Sequence, residues 1–268
     1  MTPSSGSQSA RGLLEAALKH AWELKDRDMA WALGHLGGIA DVRFSREVET
    51  ACIRRRGDRY AILFSPDFAK RYLTAAPDAL FVLLHEIFHK IHGDLNRDWI
   101  ADAGPVGKLV ANIVADARIN SALCRRFFPE GPEVLDRLYG GGGFPGLLLL
   151  SPQGLHRSQG GRGAPPEWDG VATSAGRKAL NRLAERALQS GGANEGSAAL
   201  ASWYVDAWTH SGSFQNLFER LRLYFGDEPE VLLLGDHLGD GRKIPWLEGL
   251  LEQEVVSSTR TVAINPIR

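Results

Sequence analysis

The chain is poor in cysteine, with only Cys52 and Cys124 among 268 residues. Two thiols form no disulfide framework and no Cys-x-x-Cys pair. That excludes a disulfide-stapled scaffold and a thiolate metal site, and leaves two buried free thiols in a reducing compartment as the expectation. An excess of charge of either sign is also missing: 31 Lys and Arg against 32 Asp and Glu give a net charge of −1. No electrostatic footprint for nucleic acid results, and the one basic cluster, Arg54-Arg55-Arg56, is short enough to be a solvated turn or strand end. No apolar run approaches the roughly 20 residues that span a bilayer. Met1 to Ser9 is Ser-rich and lacks the apolar centre of a signal peptide. The expectation is therefore a cytoplasmic protein with no membrane partner. There is no internal repeat.

What is present is an ordinary globular composition, 44% hydrophobic, enough to bury a core in a single domain over residues 1–268. Four regions follow from the patterning. Residues 10–44 read as an N-terminal helical hairpin, since Leu13, Leu14, Ala17, Leu18, Ala21 and Leu24 recur at helical spacing and Met29 to Leu36 continues in kind before Gly37-Gly38. Residues 45–127 read as a metal-binding core. Residues 128–174, rich in Gly and Pro from Gly131 to Gly170, read as a long loop. Residues 175–268 read as a helical region with short strands, with helices over 175–189, 198–208 and 214–225 and strands at Val231–Leu234 and Thr261–Ile264.

Within the core, Val48 to Arg54 and Arg59 to Phe64 flank Arg55-Arg56-Gly57-Asp58 and predict a hairpin. Ser65-Pro66-Asp67 has the order of N-cap, first-turn proline and acidic first turn, so a short helix starts there. Pro77 and Asp78 open a second helix and Gly93 closes it. Leu80, Val82, Leu83, Leu84, Ile87, Phe88 and Ile91 make that helix apolar almost all round, which predicts burial.

That buried helix carries His85-Glu86-Ile87-Phe88-His89. Histidines four apart share a helix face and can reach one ion, and the intervening Glu86 can touch a water on it. A catalytic zinc site needs a third protein ligand and an open position. His92 is on the same face, but a residue one turn further along a straight helix cannot converge on the same ion, so it reads as supporting or surface. The metzincin continuation wants Gly at 92 and His or Asp at 95, and the chain has His92 and Leu95. The helix after Pro105 offers Asn112, Asp116 and Asn120 as one polar stripe at i, i+4 and i+8. Asp116, a poor helix former at mid-helix, is the stronger candidate ligand, with the two Asn as supporting groups; a solvated polar face is the competing account.

Three stretches in order, Tyr60 to Phe68, Leu83 to His89 and Asn112 to Asn120, resemble the zincin-like metallopeptidase domain of bacteria. That family is often joined to von Willebrand A-like domains and encoded beside AAA ATPases. The resemblance covers about Arg59 to Leu123. It implies an α+β fold, a zincin-like metallopeptidase core that is mostly helical with a small sheet. It also implies zinc as cofactor, His85, His89 and Asp116 as its ligands, and Glu86 as general base. A peptide or protein would be the substrate, and an AAA ATPase or a von Willebrand A-like domain the partner.

The expected function is zinc-dependent peptide hydrolysis. The alternatives are a zincin-fold scaffold or regulatory binding protein acting with a partner, and a zinc hydrolase of a non-peptide bond. By analogy with zincin edge strands, Tyr60 to Phe64 would pair with an extended substrate. Arg118, Tyr139, His156, Tyr204 and His210 are the side chains of the right type to stabilise an oxyanion, and the sequence does not choose among them. Gly141 to Gly146 matches Gly-x-Gly-x-x-Gly formally but lacks a preceding strand, so a flexible loop is expected. Gly235 to Gly241 reads as a turn, and Trp203, Tyr204 and Trp208 as core.

Overall fold

The computed structural model describes residues 10–56, 58–92, 104–141, 143–161, 167–171, 173–193 and 196–225. Helix α1 (Ala10–Leu24) buries Leu13, Ala17 and Ala21, the positions that its helical spacing aligns. The Asp26 carboxylate accepts from the backbone N–H groups of Asp28 and Met29, both at 2.8 Å, and so starts α2 (Arg27–Gly34). A 3-10 turn (His35–Gly38) leads into strand β1 (Ile39–Phe44). The N-terminal region is thus a helical hairpin followed by a strand, which the helical patterning of residues 10–44 does not predict.

Strands β2 (Ala51–Arg56) and β3 (Arg59–Phe64) form the expected hairpin. The sheet order is β1-β3-β2, with β1 parallel and β2 antiparallel to β3. This corrects one expectation. The stretch Tyr60 to Phe64 is the central strand, paired on both sides, and has no free edge for a substrate; β1 and β2 are the edges. Ile53, Ile62 and Phe64 face the main core, whereas Val48, Cys52, Ala61 and Leu63 form a small cluster on the other face.

Ser65 caps α3 (Pro66–Tyr72) as its sequence suggests. Helix α4 (Ala76–His92) carries the His-Glu-x-x-His motif, and every residue from Asp78 to His89 is buried. Its neighbours are α1, α2, β2 and α5 (Gly104–Arg126). Its N-terminal end is held by Asp78, a buried carboxylate that accepts from the backbone N–H groups of Thr74 and Ala75 and pairs with Arg137.

The region expected to be one long loop is largely ordered into short helices: α6 (Glu133–Tyr139), a 3-10 turn (Gly146–Leu149), α7 (Pro152–Ser158) and α8 (Trp168–Val171). Ser151-Pro152 repeats the cap and first-turn proline that start α3, with the Ser151 hydroxyl accepting from Gly154 N–H at 2.9 Å. These segments are too short for helical periodicity to show, and burial of Leu147 to Leu150 fixes them instead. Gly143 is required because a Cβ there would stand 2.6 Å from the Gly191 carbonyl oxygen.

Helices α9 (Ser174–Ser190), α10 (Ser197–Trp208) and α11 (Phe214–Arg222) match the expected ones to within a few residues. Asp206 ties the three together through Arg177 and Arg220. The candidate strands Val231–Leu234 and Thr261–Ile264, the turn Gly235–Gly241 and the stop at Gly93 lie outside the described residues. The fold is α+β, mostly helical with one three-stranded sheet. No described helix is long and apolar enough to cross a membrane.

Candidate metal centre

Helices α4 and α5 pack so that the motif face of one meets the polar stripe of the other. His85, His89 and Asp116 converge, their ligand atoms lying within 4.8 Å of one another. The two Nε2 atoms are 2.9 Å apart, and Asp116 Oδ1 is 3.4 Å from that of His85 and 3.1 Å from that of His89. Donors held at zinc–ligand distances of about 2.0–2.1 Å and tetrahedral angles stand roughly 3.3 Å apart, so the triangle is of the size that such an ion needs.

Burial makes the same point energetically. His85, Glu86, His89 and Asp116 are 0–1% exposed. Neither carboxylate oxygen of Asp116 makes a hydrogen bond of good geometry. A buried carboxylate left so would cost several kcal/mol, and a cation between the three side chains removes that cost. The three residues therefore fit a metal ion both as a donor set and as a charge that needs one.

Asn120 settles the tautomer of His85. Its Nδ2 donates to the Leu149 carbonyl at 3.2 Å, so its Oδ1 is the atom 2.9 Å from His85 Nδ1 and can only accept. His85 Nδ1 therefore carries the proton and Nε2 turns its lone pair toward His89 and Asp116. Burial lowers the His85 pKa to about 4, with His89 adding to the effect and Asp116 and Asn120 opposing it. The imidazole is neutral near pH 7, which is the metal-binding form.

Glu86 sits on the same helix with neither oxygen in a hydrogen bond of good geometry. Burial pushes its pKa well up, and the nearby His89 and the backbone N–H of Ile53 oppose the shift. Ile53 belongs to β2, and its orientation follows from the ladder. Ser65 N–H donates to the Thr50 carbonyl at 2.6 Å, so the Thr50/Ser65 pair is hydrogen-bonded. The alternation of an antiparallel pair then makes Cys52/Leu63 bonded and Ile53/Ile62 not. The main-chain groups of Ile53 point away from β3, on the free-edge side of β2.

Among the supporting residues expected from sequence, Asn120 touches a candidate ligand directly. Asn112 is buried one turn before Asp116, and His92 is exposed at the end of α4 with its ring 5.6 Å from Phe88. The oxyanion candidates divide differently. The Tyr204 hydroxyl donates to the Leu150 carbonyl at 2.8 Å, and the Arg118 guanidinium to the Gly212 carbonyl at 3.2 Å. Arg118 lies two residues from Asp116, so it projects from nearly the opposite side of α5. His210 has its pKa lowered to about 4 by burial, then by the charges of Arg118, Arg125 and His92, none of them a candidate ligand. Tyr139 and His156 belong to α6 and α7, whose main contacts are with each other, α3, α9 and the 3-10 turn. Tyr204 and Arg118 thus spend hydrogen bonds on main-chain carbonyls outside the ligand triangle.

Sequence reasoning missed two contributors, the Ile53 N–H and the Leu149 carbonyl. Both are main-chain groups delivered by tertiary packing, and no side-chain pattern announces them. No protein-family model, curated protein or solved structure matches the chain.

Proposed function

We propose that the chain is a zinc-dependent metallopeptidase of zincin type. The carrying observation is the ligand triangle of His85, His89 and Asp116 beside a buried Glu86 carboxylate with neither oxygen in a hydrogen bond of good geometry. A purely structural site is closed by four protein ligands and leaves no open position for a neighbouring carboxylate to serve. A bound zinc ion would supply Lewis acidity and a water of lowered pKa.

The chain's own groups do the rest. His85 offers a neutral Nε2 lone pair, His89 a second Nε2 and Asp116 a carboxylate oxygen, and Asn120 keeps His85 in the required tautomer. Glu86 takes a proton at its carboxylate and returns it to the leaving amine; burial suits it to hold that proton between the two events. β2, as an edge strand whose Ile53 main chain faces the Glu86 side, is the strand on which an extended peptide would add.

One observation favours a second reading, a zincin-fold scaffold that keeps the ion for structure and acts with a partner such as an AAA ATPase. All four site side chains are essentially inaccessible to solvent. The readings separate in one experiment, hydrolysis of unfolded protein substrates by wild type and Glu86→Gln with metal content measured on both. The peptidase reading expects turnover in wild type and its loss by at least a hundredfold in a fully metallated Glu86→Gln. Full metal content with no wild-type turnover would favour the scaffold.

A further inference from the structure

The four leucines Leu147 to Leu150 offer three successive carbonyls, and each accepts a hydrogen bond from a different buried side chain. Trp208 Nε1 donates to Leu148 at 3.0 Å, Asn120 Nδ2 to Leu149 at 3.2 Å and the Tyr204 hydroxyl to Leu150 at 2.8 Å. Tyr204 and Trp208 are i and i+4 on α10, so they act from one helix face about 6 Å apart. Asn120 reaches the carbonyl between them from α5. The Ser121 hydroxyl, next to Asn120, donates to the Trp208 carbonyl at 2.6 Å and joins the two helices directly. All of these side chains are at most 1% exposed.

The middle bond is the one that orients His85. If the Leu149 carbonyl shifts, Asn120 Nδ2 loses its partner in a site where water cannot replace it. The amide can then flip and present a donor to His85 Nδ1. That would move the imidazole proton to Nε2, the atom needed as a ligand. The bonds on its two neighbours restrain the Leu149 carbonyl from both sides.

We propose that Tyr204 and Trp208 are positioning residues for the metal centre, fixing the Leu148–Leu150 segment so that Asn120 holds His85 in its metal-binding tautomer. The proposal rests on the metal-centre reading and assigns α10 a part in it. It gives the C-terminal helices a role that their sequence does not suggest.

The test is a set of zinc affinities, by chelator competition, for wild type, Tyr204→Phe, Trp208→Phe and Asn120→Ala, and for the first two changes in the Asn120→Ala background. Trp203→Phe is the control, since Trp203 Nε1 donates at 2.7 Å to the Leu217 carbonyl, another buried bond from α10 but one made to α11 and not to the Leu148–Leu150 segment. Asn120→Ala is expected to weaken zinc binding by about 10- to 100-fold. Tyr204→Phe and Trp208→Phe should weaken it roughly three- to tenfold, and change it little once Asn120 is already Ala. Trp203→Phe should lower the melting temperature without moving the affinity.

Wild-type affinity in Tyr204→Phe and Trp208→Phe, or an equal loss with and without Asn120, would overturn the proposal alone. A folded wild type that takes up no zinc would overturn it together with the metal reading. If Asn120→Ala does not fold, Tyr204→Phe against Trp203→Phe still decides, with the visible spectrum of the cobalt(II) form as second readout. A spectrum shifted in the former and unchanged in the latter supports positioning; two spectra identical to wild type refute it.

Discussion

His85 shows how one residue's role is set by what lies behind it. Its Nε2 faces the candidate ion only because its Nδ1 is satisfied by Asn120, and the Asn120 amide is itself oriented by a backbone carbonyl. At the same scale, His210 makes a separate prediction about pH. It sits in the left-handed region at φ 55°, and burial, with Arg118, Arg125 and His92 adding to it, lowers its pKa to about 4 from the ordinary 6.5. Between those values the unfolded chain takes up a proton that the folded chain refuses. The neutral ring's full contribution is therefore present above about pH 6.5 and is lost as the pH falls toward 4. His210→Asn keeps a residue that tolerates positive φ and removes the titration. Its urea midpoint should fall less than that of wild type between about pH 7.5 and 5. His85 contributes in the same direction to both proteins without metal, so the difference between them reports His210. Parallel pH profiles would refute the assignment.

At the scale of elements, helix α4 depends on its start as much as on its apolar faces. Asp78 collects two backbone N–H groups of the preceding turn and the Arg137 guanidinium from α6. Asp78→Ala removes a cap worth about 1 kcal/mol and strands part of a cation, so a loss of roughly 2 kcal/mol is expected. Thermal unfolding should then shift down by roughly 4 to 8 °C. Arg137→Ala should lose less, since Asp78 keeps its two N–H donors. A larger loss in Arg137→Ala than in Asp78→Ala would show that the ion pair, and not the cap, holds the helix.

Legibility in the sequence follows the same division. The helices α4, α5, α9, α10 and α11 are readable because each is long enough for its apolar period or its caps to show, and the convergence of His85 with His89 because the two share one helix face. Strand β1 was not readable. It is six residues long, and its parallel pairing with β3 spans about twenty residues of chain, so no hairpin turn marks it. The central place of β3 is hidden for a related reason: an apolar strand in sequence does not reveal whether one or both of its sides will be paired. The helices within 128–174 were hidden because each is only one or two turns long and takes its order from the surrounding core.

At the scale of the whole molecule, the candidate metal centre is a junction. The candidate ligands come from α4 and α5, the main chain beside Glu86 from β2, and the bond that orients Asn120 from the segment held by α10. An ion bound there by the folded chain alone adds about 4 kcal/mol at a free concentration a thousandfold above its dissociation constant. Removing it with a chelator should lower the melting temperature on the order of 10 °C and restore it on adding zinc back. Magnesium should not restore it, because two imidazoles and one carboxylate are a poor site for that ion.

The central claim is that His85, His89 and Asp116 hold one zinc ion. Zinc content of the purified chain, measured by elemental analysis beside Asp116→Ala after dialysis against trace chelator, tests it most directly. The claim predicts one zinc per chain in wild type and less than a tenth of that in a folded Asp116→Ala. Full zinc in Asp116→Ala, or none in a folded wild type supplied with zinc, would contradict it.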